Sequence, residues 1–208
     1  MIDKDTATST TTVALGDLVR IVGAMAQHVS TDTLRQALCA IVIGADQIMA
    51  TDSYTAAIFT PDTAITAGNT VMINGRELLT AVNNASKTLK RDGSPIVEIV
   101  SDGKRWVMTA TGATATTTAG GNVIDCEYPN VKSLFVNSVY DKFDGWLPTG
   151  VNGDYLARIT TAHNKLIGRA TATPLLIKQW QGNTKPILFE TITDLGILAQ
   201  LLMPVRLK

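Results

Sequence analysis

Cysteine is nearly missing from this 208-residue chain: Cys39 and Cys126 are the two it has, and they lie far apart. No CxxC spacing occurs, so a disulfide framework or a thiolate metal site is not expected, and both thiols are expected to be buried or half-buried. Histidine is as scarce, with only His28 and His163. Neither has a second histidine or cysteine at ligand spacing; both are expected as partly exposed helix residues, with no metal and no cofactor. There is no excess of charge, since 18 cations balance 18 anions. That excludes a protein whose whole surface coats nucleic acid, while leaving room for a basic stripe offset by acidic faces elsewhere. Long apolar runs are lacking too. The stretches 38–45 and 195–205 fall well short of the roughly 20 residues that span a bilayer. The start, MIDKDTATSTTT, has neither the cations nor the apolar segment of a secretion signal. A cytoplasmic protein without a membrane partner is the expectation. GxSxG, HExxH and GxxxxGK[ST] are absent, and neither Asp46/Asp52 nor Asp141/Asp144 sits in a converging apolar setting. No enzyme is expected.

What is present is a repeated order of elements. Residues 1–11 are Thr-rich and are expected as a disordered tail. Leu18, Val22, Met25 and Val29 then mark one stripe of a helix, with Arg20 and Gln27 opposite. The stretch ALCAIVIGADQIMATDSYTAAIFTPD alternates as strands broken at GAD. A second pass begins with the strand NTVMIN and a helix predicted over 76–91, buried through Leu78, Val82, Ala85 and Leu89. Its far side, from Arg76 through Lys87 to Arg91, is expected to carry no anion. A hairpin around Asp102-Gly103 follows, and GATATTTAGGNVIDCEYP is expected as another strand pair turning at Gly-Gly. The third pass opens on a loose connector, NVKSLFVNSVYDKFDGWLPTG. A helix with Tyr155, Ile159, Ala162 and Leu166 inward comes next, capped by Asn152 and closed by Gly168. Three strands finish the chain. Strand, helix, strands, three times over, point to an α+β fold.

The chemistry-bearing feature is cationic. Arg20, Arg76, Lys87, Arg91, Arg158 and Lys165 fall on outward faces of predicted helices, and several helices showing one sign in a neutral protein suit a surface aimed at phosphates.

Five short motifs then carry a resemblance. ATDSYTAAIF, INGRELLTAVNNASK, CEYPN, GVNGDYLARI and the closing LLMPVRLK occur in the order seen in bacterial DNA polymerase sliding clamps, the β-subunit processivity factors. The chain resembles a compact version of that family over about residues 12–208. The resemblance implies DNA-clamp repeats with antiparallel sheets outside and helices lining a pore. It implies a phage-like replisome protein that encircles double-stranded DNA without sequence preference and binds polymerase and clamp loader through short linear motifs. The six cations above become pore residues, with Asp3, Asp5, Asp141 and Asp144 on the outside. Met203, Pro204, Val205 and Arg206 are implied to line a peptide groove, faced by Ser53, Tyr54, Thr55 and Ala56. Thr55 stands where many members carry arginine.

On this reading residues 12–129 form one complete domain of two units and residues 130–208 half of a second, or a trimmed one. A single chain is too small to enclose a duplex, so a head-to-tail homo-oligomer is required. Family rings contain six two-unit domains, and counting three units per chain favours a tetramer over a trimer. A β-rich phage structural or assembly protein is the alternative, with a small-ligand-binding α+β domain third.

Overall fold

The structure, a computed structural model, describes residues 9–62, 66–68, 70–136, 150–168, 173–179 and 185–205. The first unit contains β1 (Ser9–Ala14), α1 (Leu15–Met25), β2 (Ala40–Ile43), β3 (Ile48–Thr51) and β4 (Thr55–Pro61). After the short β5 (Thr66–Gly68), the second unit contains β6 (Val71–Asn74), α2 (Gly75–Thr88), β7 (Ile96–Ser101), β8 (Arg105–Thr111) and β9 (Thr116–Asn122). A short helix, α3 (Val131–Val136), leads to α4 (Gly153–Ile167), β10 (Leu176–Gln179), β11 (Ile187–Thr193) and β12 (Gly196–Leu202).

Every strand pairing is antiparallel, in two sheets ordered β5-β1-β7-β8-β9 and β10-β11-β12-β4-β3-β2-β6. The first two units exchange their leading strands: β1 pairs with β7, and β6 pairs with β2. Neither sheet of these units can therefore form from one unit alone. The third unit joins differently, edge to edge, through β12 on β4 from Gly196↔Pro61 to Leu202↔Thr55. Among the described residues before α4, Gly150 bridges Val205 just beyond β12.

The three long helices cover one face of the seven-stranded sheet, with α1 between α2 and α4. That position explains why α1 is buried well beyond one stripe, at Leu15, Leu18, Ile21, Val22, Ala24 and Met25. Its first N–H lacks a side-chain cap; Leu15 N donates instead to Pro95 O at 2.9 Å. In α2 the side chain of Asn74 caps the first turn, accepting from Arg76 N and Glu77 N. In α4 Asn152 Oδ1 accepts from Asp154 N at 2.8 Å, and Gly168, at φ 62°, ends the helix. The Asn152 cap and the Gly168 stop match the sequence expectation, whereas the Asn74 cap was not anticipated. Alternate residues of β4 serve the two sheet faces: Ala57 and Phe59 meet the helices, while Ala56 and Ile58 join Val131, Leu201, Tyr128 and Phe135 on the other side.

Several expectations change. Residues 9–11 belong to β1, held between β5 and β7, so the tail expected over 1–11 is strand from Ser9 onward; residues 1–8 lie outside the described residues. The strand pair with a Gly-Gly turn is one strand, β9, and the turn comes earlier, where Gly112 N donates to Ala115 O at 2.9 Å. Gly120 and Gly121 serve close packing: a Cβ on Gly120 would sit 2.7 Å from Trp106 O, and one on Gly121 3.0 Å from Trp106 Nε1. The connector expected to be loose begins as α3, anchored by the buried Val131, whose burial contributes about 2 kcal/mol. Both histidines are buried, not partly exposed, and Cys126 is exposed while Cys39 is buried.

His28 is fully enclosed and hydrogen-bonded through Nε2 to Gln200 at 3.0 Å; burial lowers its pKa from the ordinary 6.5 to about 4. The unfolded chain therefore takes up a proton near pH 6.5 that the native ring refuses until about pH 4. Stability is expected to fall as pH drops through that window, by about 2 kcal/mol between pH 7 and 5 from this residue. Urea titrations of the protein and of His28→Leu at both pH values check it: the variant should lose distinctly less on acidification.

Candidate functional site

Two sequence-distant segments meet at one end of the central strands of the seven-stranded sheet. The β3–β4 turn is wound around the carboxylate of Asp52: Oδ1 accepts from Tyr54 N at 2.9 Å, Thr55 N at 2.7 Å and Thr55 Oγ1 at 3.1 Å. Thr51 Oγ1 donates to Thr55 O at 2.8 Å and accepts from Ser53 N, which sits at φ 81°. This is an Asx-type turn that a short oxygen-bearing side chain stabilises locally. Tyr54 O then accepts from Met203 N at 3.0 Å, tying the turn to the end of β12.

Between these segments and α3 lies an apolar cavity of about 110 Å³. Ser53, Tyr54, Thr55 and Ala56 line one wall, Leu201 and Met203 another, and Pro129, Val131 and Leu134 of the connector the third, with Leu38 and Thr51 completing it. Of the eight groove residues expected from sequence, Ser53, Tyr54, Thr55, Ala56 and Met203 are thus brought together. Pro204 and Val205 do not line the cavity; Val205 is half-exposed and its N–H donates to Gly150 O at 2.8 Å. Arg206 lies outside the described residues. The side chain of Thr55 is buried, and its hydroxyl donates to Asp52 Oδ1.

Sequence reasoning missed the buried centre of this site. Asp52 is 5% exposed, and its Oδ2 is paired with Arg158 Nη1 from α4. The Arg158 guanidinium stands 5.5 Å from the ring centroid of Tyr155, whose ring stacks on Tyr54 at 4.9 Å and 13°. A buried carboxylate needs a partner, and neither the burial of Asp52 nor the cation that meets it was expected from sequence.

The cations expected on one helix face divide into two groups. Arg20 donates from Nε to Leu166 O at 2.7 Å and from Nη2 to Asp194 Oδ1 at 2.9 Å, and this bond keeps the Asp194 carboxyl below its ordinary pKa. Arg20 therefore clamps α1 to the third unit, and Arg158 is committed to Asp52; neither is a free surface cation. Arg76 and Lys87 are exposed on α2, Arg91 is exposed in the turn beyond its C-terminus, and Lys165 is exposed on α4. None of these four forms an ion pair among the described residues. The stem of Lys165 lies across Gly23 of α1, 3.6 Å from where a Cβ would be, so its ammonium group projects over the helix layer. Lys90, beside Arg91, is a further exposed cation that stripe reasoning passed over. Glu77 is exposed in the first turn of α2, which corrects the expectation of an anion-free face at that end. Asp3, Asp5, Asp141 and Asp144 lie outside the described residues.

Comparison by sequence finds no matching family model and no matching curated protein. Comparison of structures does find similar chains. DNA polymerase III subunit beta from Borrelia burgdorferi superposes with a TM-score of 0.73 at 10% identity, over 100% of this chain and 66% of that one. The beta subunit from Thermotoga maritima gives 0.68 at 14% identity, over 100% and 68%, and the Bacillus subtilis DNA polymerase sliding clamp 0.62 at 17%, over 96% and 64%. The chain thus has the sliding-clamp fold and spans about two thirds of the length of these solved clamps.

Proposed function

We propose that this chain is one subunit of a sliding clamp: a homo-oligomeric ring around duplex DNA that tethers a polymerase through a short linear motif seated in the apolar cavity. One observation carries the reading. TDSYTA and LLMP, about 150 residues apart, are joined by the Met203–Tyr54 hydrogen bond and wall the same cavity, on a fold shared with solved clamps.

A cavity of this size takes one large apolar side chain of an extended peptide, with backbone groups left at the rim for polar contacts. The task is to raise the local concentration of polymerase at the primer end, which needs binding and no bond chemistry. Sliding requires phosphate contacts that are interchangeable and carry no sequence information. Arg76, Lys87, Arg91 and Lys165 suit that use because no carboxylate among the described residues holds them in place. The outer strands of the two sheets, β9 and β10, offer edges through which copies can associate head to tail. Because the chain spans two thirds of clamps whose family rings hold six domains, three subunits fit better than the four suggested by counting units.

The test is the salt dependence of binding to duplexes of unrelated sequence. The protein is expected to bind them equally, with affinity falling steeply as salt rises. Lys87→Glu combined with Lys165→Glu should flatten the log–log slope by about one for each phosphate that is no longer neutralised. Sequence-dependent affinity, or a slope unchanged by the double variant, would contradict the assignment of this face.

A further inference from the structure

We infer that the turn closing α2 presents Lys90 and Arg91 to duplex phosphates as a preset pair, and that Asp92 is the positioning residue that holds the turn in place. This rests on the duplex-binding reading above and names the side chain that fixes part of that surface.

The chain between α2 and β7 is pinned at three points. At its start Leu89 is 2% exposed, and its N–H still donates to Ala85 O at 2.9 Å. At its end Pro95 is buried and accepts from Leu15 N of α1. Asp92 supplies the middle pin by reaching the β8–β9 turn, 22 residues further along the chain. Its Oδ1 accepts from Thr114 Oγ1 at 2.5 Å, and its Oδ2 from Ala115 N at 3.1 Å and Thr114 N at 3.3 Å. The hydroxyl bond, with the two backbone bonds behind it, keeps the Asp92 carboxyl below its ordinary pKa.

Lys90 and Arg91 lie between the first two pins, and both are exposed. Asp92 N donates to Leu89 O at 3.0 Å, so the coil of α2 carries on past Thr88. Three and four residues beyond Lys87, the two cations extend the exposed basic side of that helix. The carboxylate next to them in sequence is spent on the β8–β9 turn, and neither cation forms an ion pair among the described residues. Residues 89–95 hold no aromatic or amide side chain that could stack on a base or read its edge, which suits contacts to phosphates alone.

A long cationic side chain loses rotamer freedom when it meets a phosphate, and a frayed turn would add the cost of ordering its backbone. The latch removes that second cost. Replacing Asp92 itself would mix two effects, because losing its negative charge favours an anion while losing the latch does the opposite. Gly112→Ala breaks the latch without changing charge: a Cβ there would stand 2.3 Å from Asp92 Oδ2 and 2.6 Å from Asp92 Cβ. Thr114→Val is the milder form, deleting only the hydroxyl donor.

Fluorescence anisotropy of the full chain on a labelled duplex, across a salt series, tests this. Lys90→Ala combined with Arg91→Ala is expected to weaken binding about tenfold and to flatten the log–log slope by about two. Gly112→Ala should weaken binding about threefold, and Thr114→Val less, with the slope kept because both charges remain. In the Lys90→Ala/Arg91→Ala background neither should have a further effect. A purely structural loss would lower affinity equally in both backgrounds; that result, or no loss from either latch variant, overturns the role of Asp92. Should Gly112→Ala fail to fold, Thr114→Val decides alone. Unchanged affinity of the Lys90→Ala/Arg91→Ala chain overturns the inference while leaving Lys87 and Lys165 as assigned. If the unaltered chain binds no duplex, the duplex reading itself falls, and this inference with it.

Discussion

Gly196→Ala is expected to destabilise the protein by about 4 kcal/mol, the range of large single-site effects that arise from strain and overpacking. Gly196 opens β12 opposite Pro61, at φ 139°, a backbone conformation that side-chain-bearing residues rarely adopt. A Cβ there would stand 2.2 Å from Thr60 O and 2.7 Å from Pro61 Cα, both backbone atoms of β4. Relief requires β12 to move off β4, and that pairing joins the third unit to the first. Gly93→Ala supplies the control, because Gly93 has φ 74° with nothing within 4 Å of its would-be Cβ. It carries the conformational penalty alone, roughly 1–2 kcal/mol. Urea unfolding of both variants separates the effects: a Gly196→Ala cost no larger than that of Gly93→Ala would show that the seam is not tight.

Arg158→Met is expected to cost about 3 kcal/mol, at the low end for breaking a buried ion pair because the arginine side chain is one third exposed. The loss arises on the other partner. Asp52 keeps its three hydrogen bonds from the turn, yet its charge remains in place without a cation. Adding Asp52→Asn should recover part of the loss, giving a double-variant cost well below the sum of the singles. The same variant separates two roles for Arg158. A pore cation would lower duplex affinity when removed and leave stability alone; a residue paired with Asp52 does the reverse. Unchanged unfolding together with weakened duplex binding would restore the role expected from sequence.

The helical layer was legible because helix periodicity, caps and breakers are local. Leu18/Val22/Met25, the Asn152 cap and the Gly168 stop all act within a turn or two of themselves. The repeat of strand, helix and strands followed from the same local signals. Pairing was not legible, since nothing in β1 or β6 announces that each completes the sheet of the other unit. Gly120-Gly121 was misread as a turn for a related reason: glycine permits a turn and permits close packing, and only Trp106 across the strand decides between them. In the candidate site, residues carried by contiguous motifs were found, as with Ser53 to Ala56 and Met203. Those recruited from elsewhere were not, as with Leu38, Val131 and Leu134. The cations show the same limit. A helical wheel places Arg20 opposite a core and Arg158 along one edge of its helix, but their partners Asp194 and Asp52 come from other units, more than 100 residues away.

Copies of this chain are expected to close into a ring whose helix layer faces inward. Negative-stain electron microscopy of the purified full chain, with native mass spectrometry of the same sample, reads the assembly out. Closed particles of three subunits, with a central channel wide enough for hydrated duplex DNA, are expected. A monomer at micromolar concentration, or an open filament without a channel, would contradict ring closure.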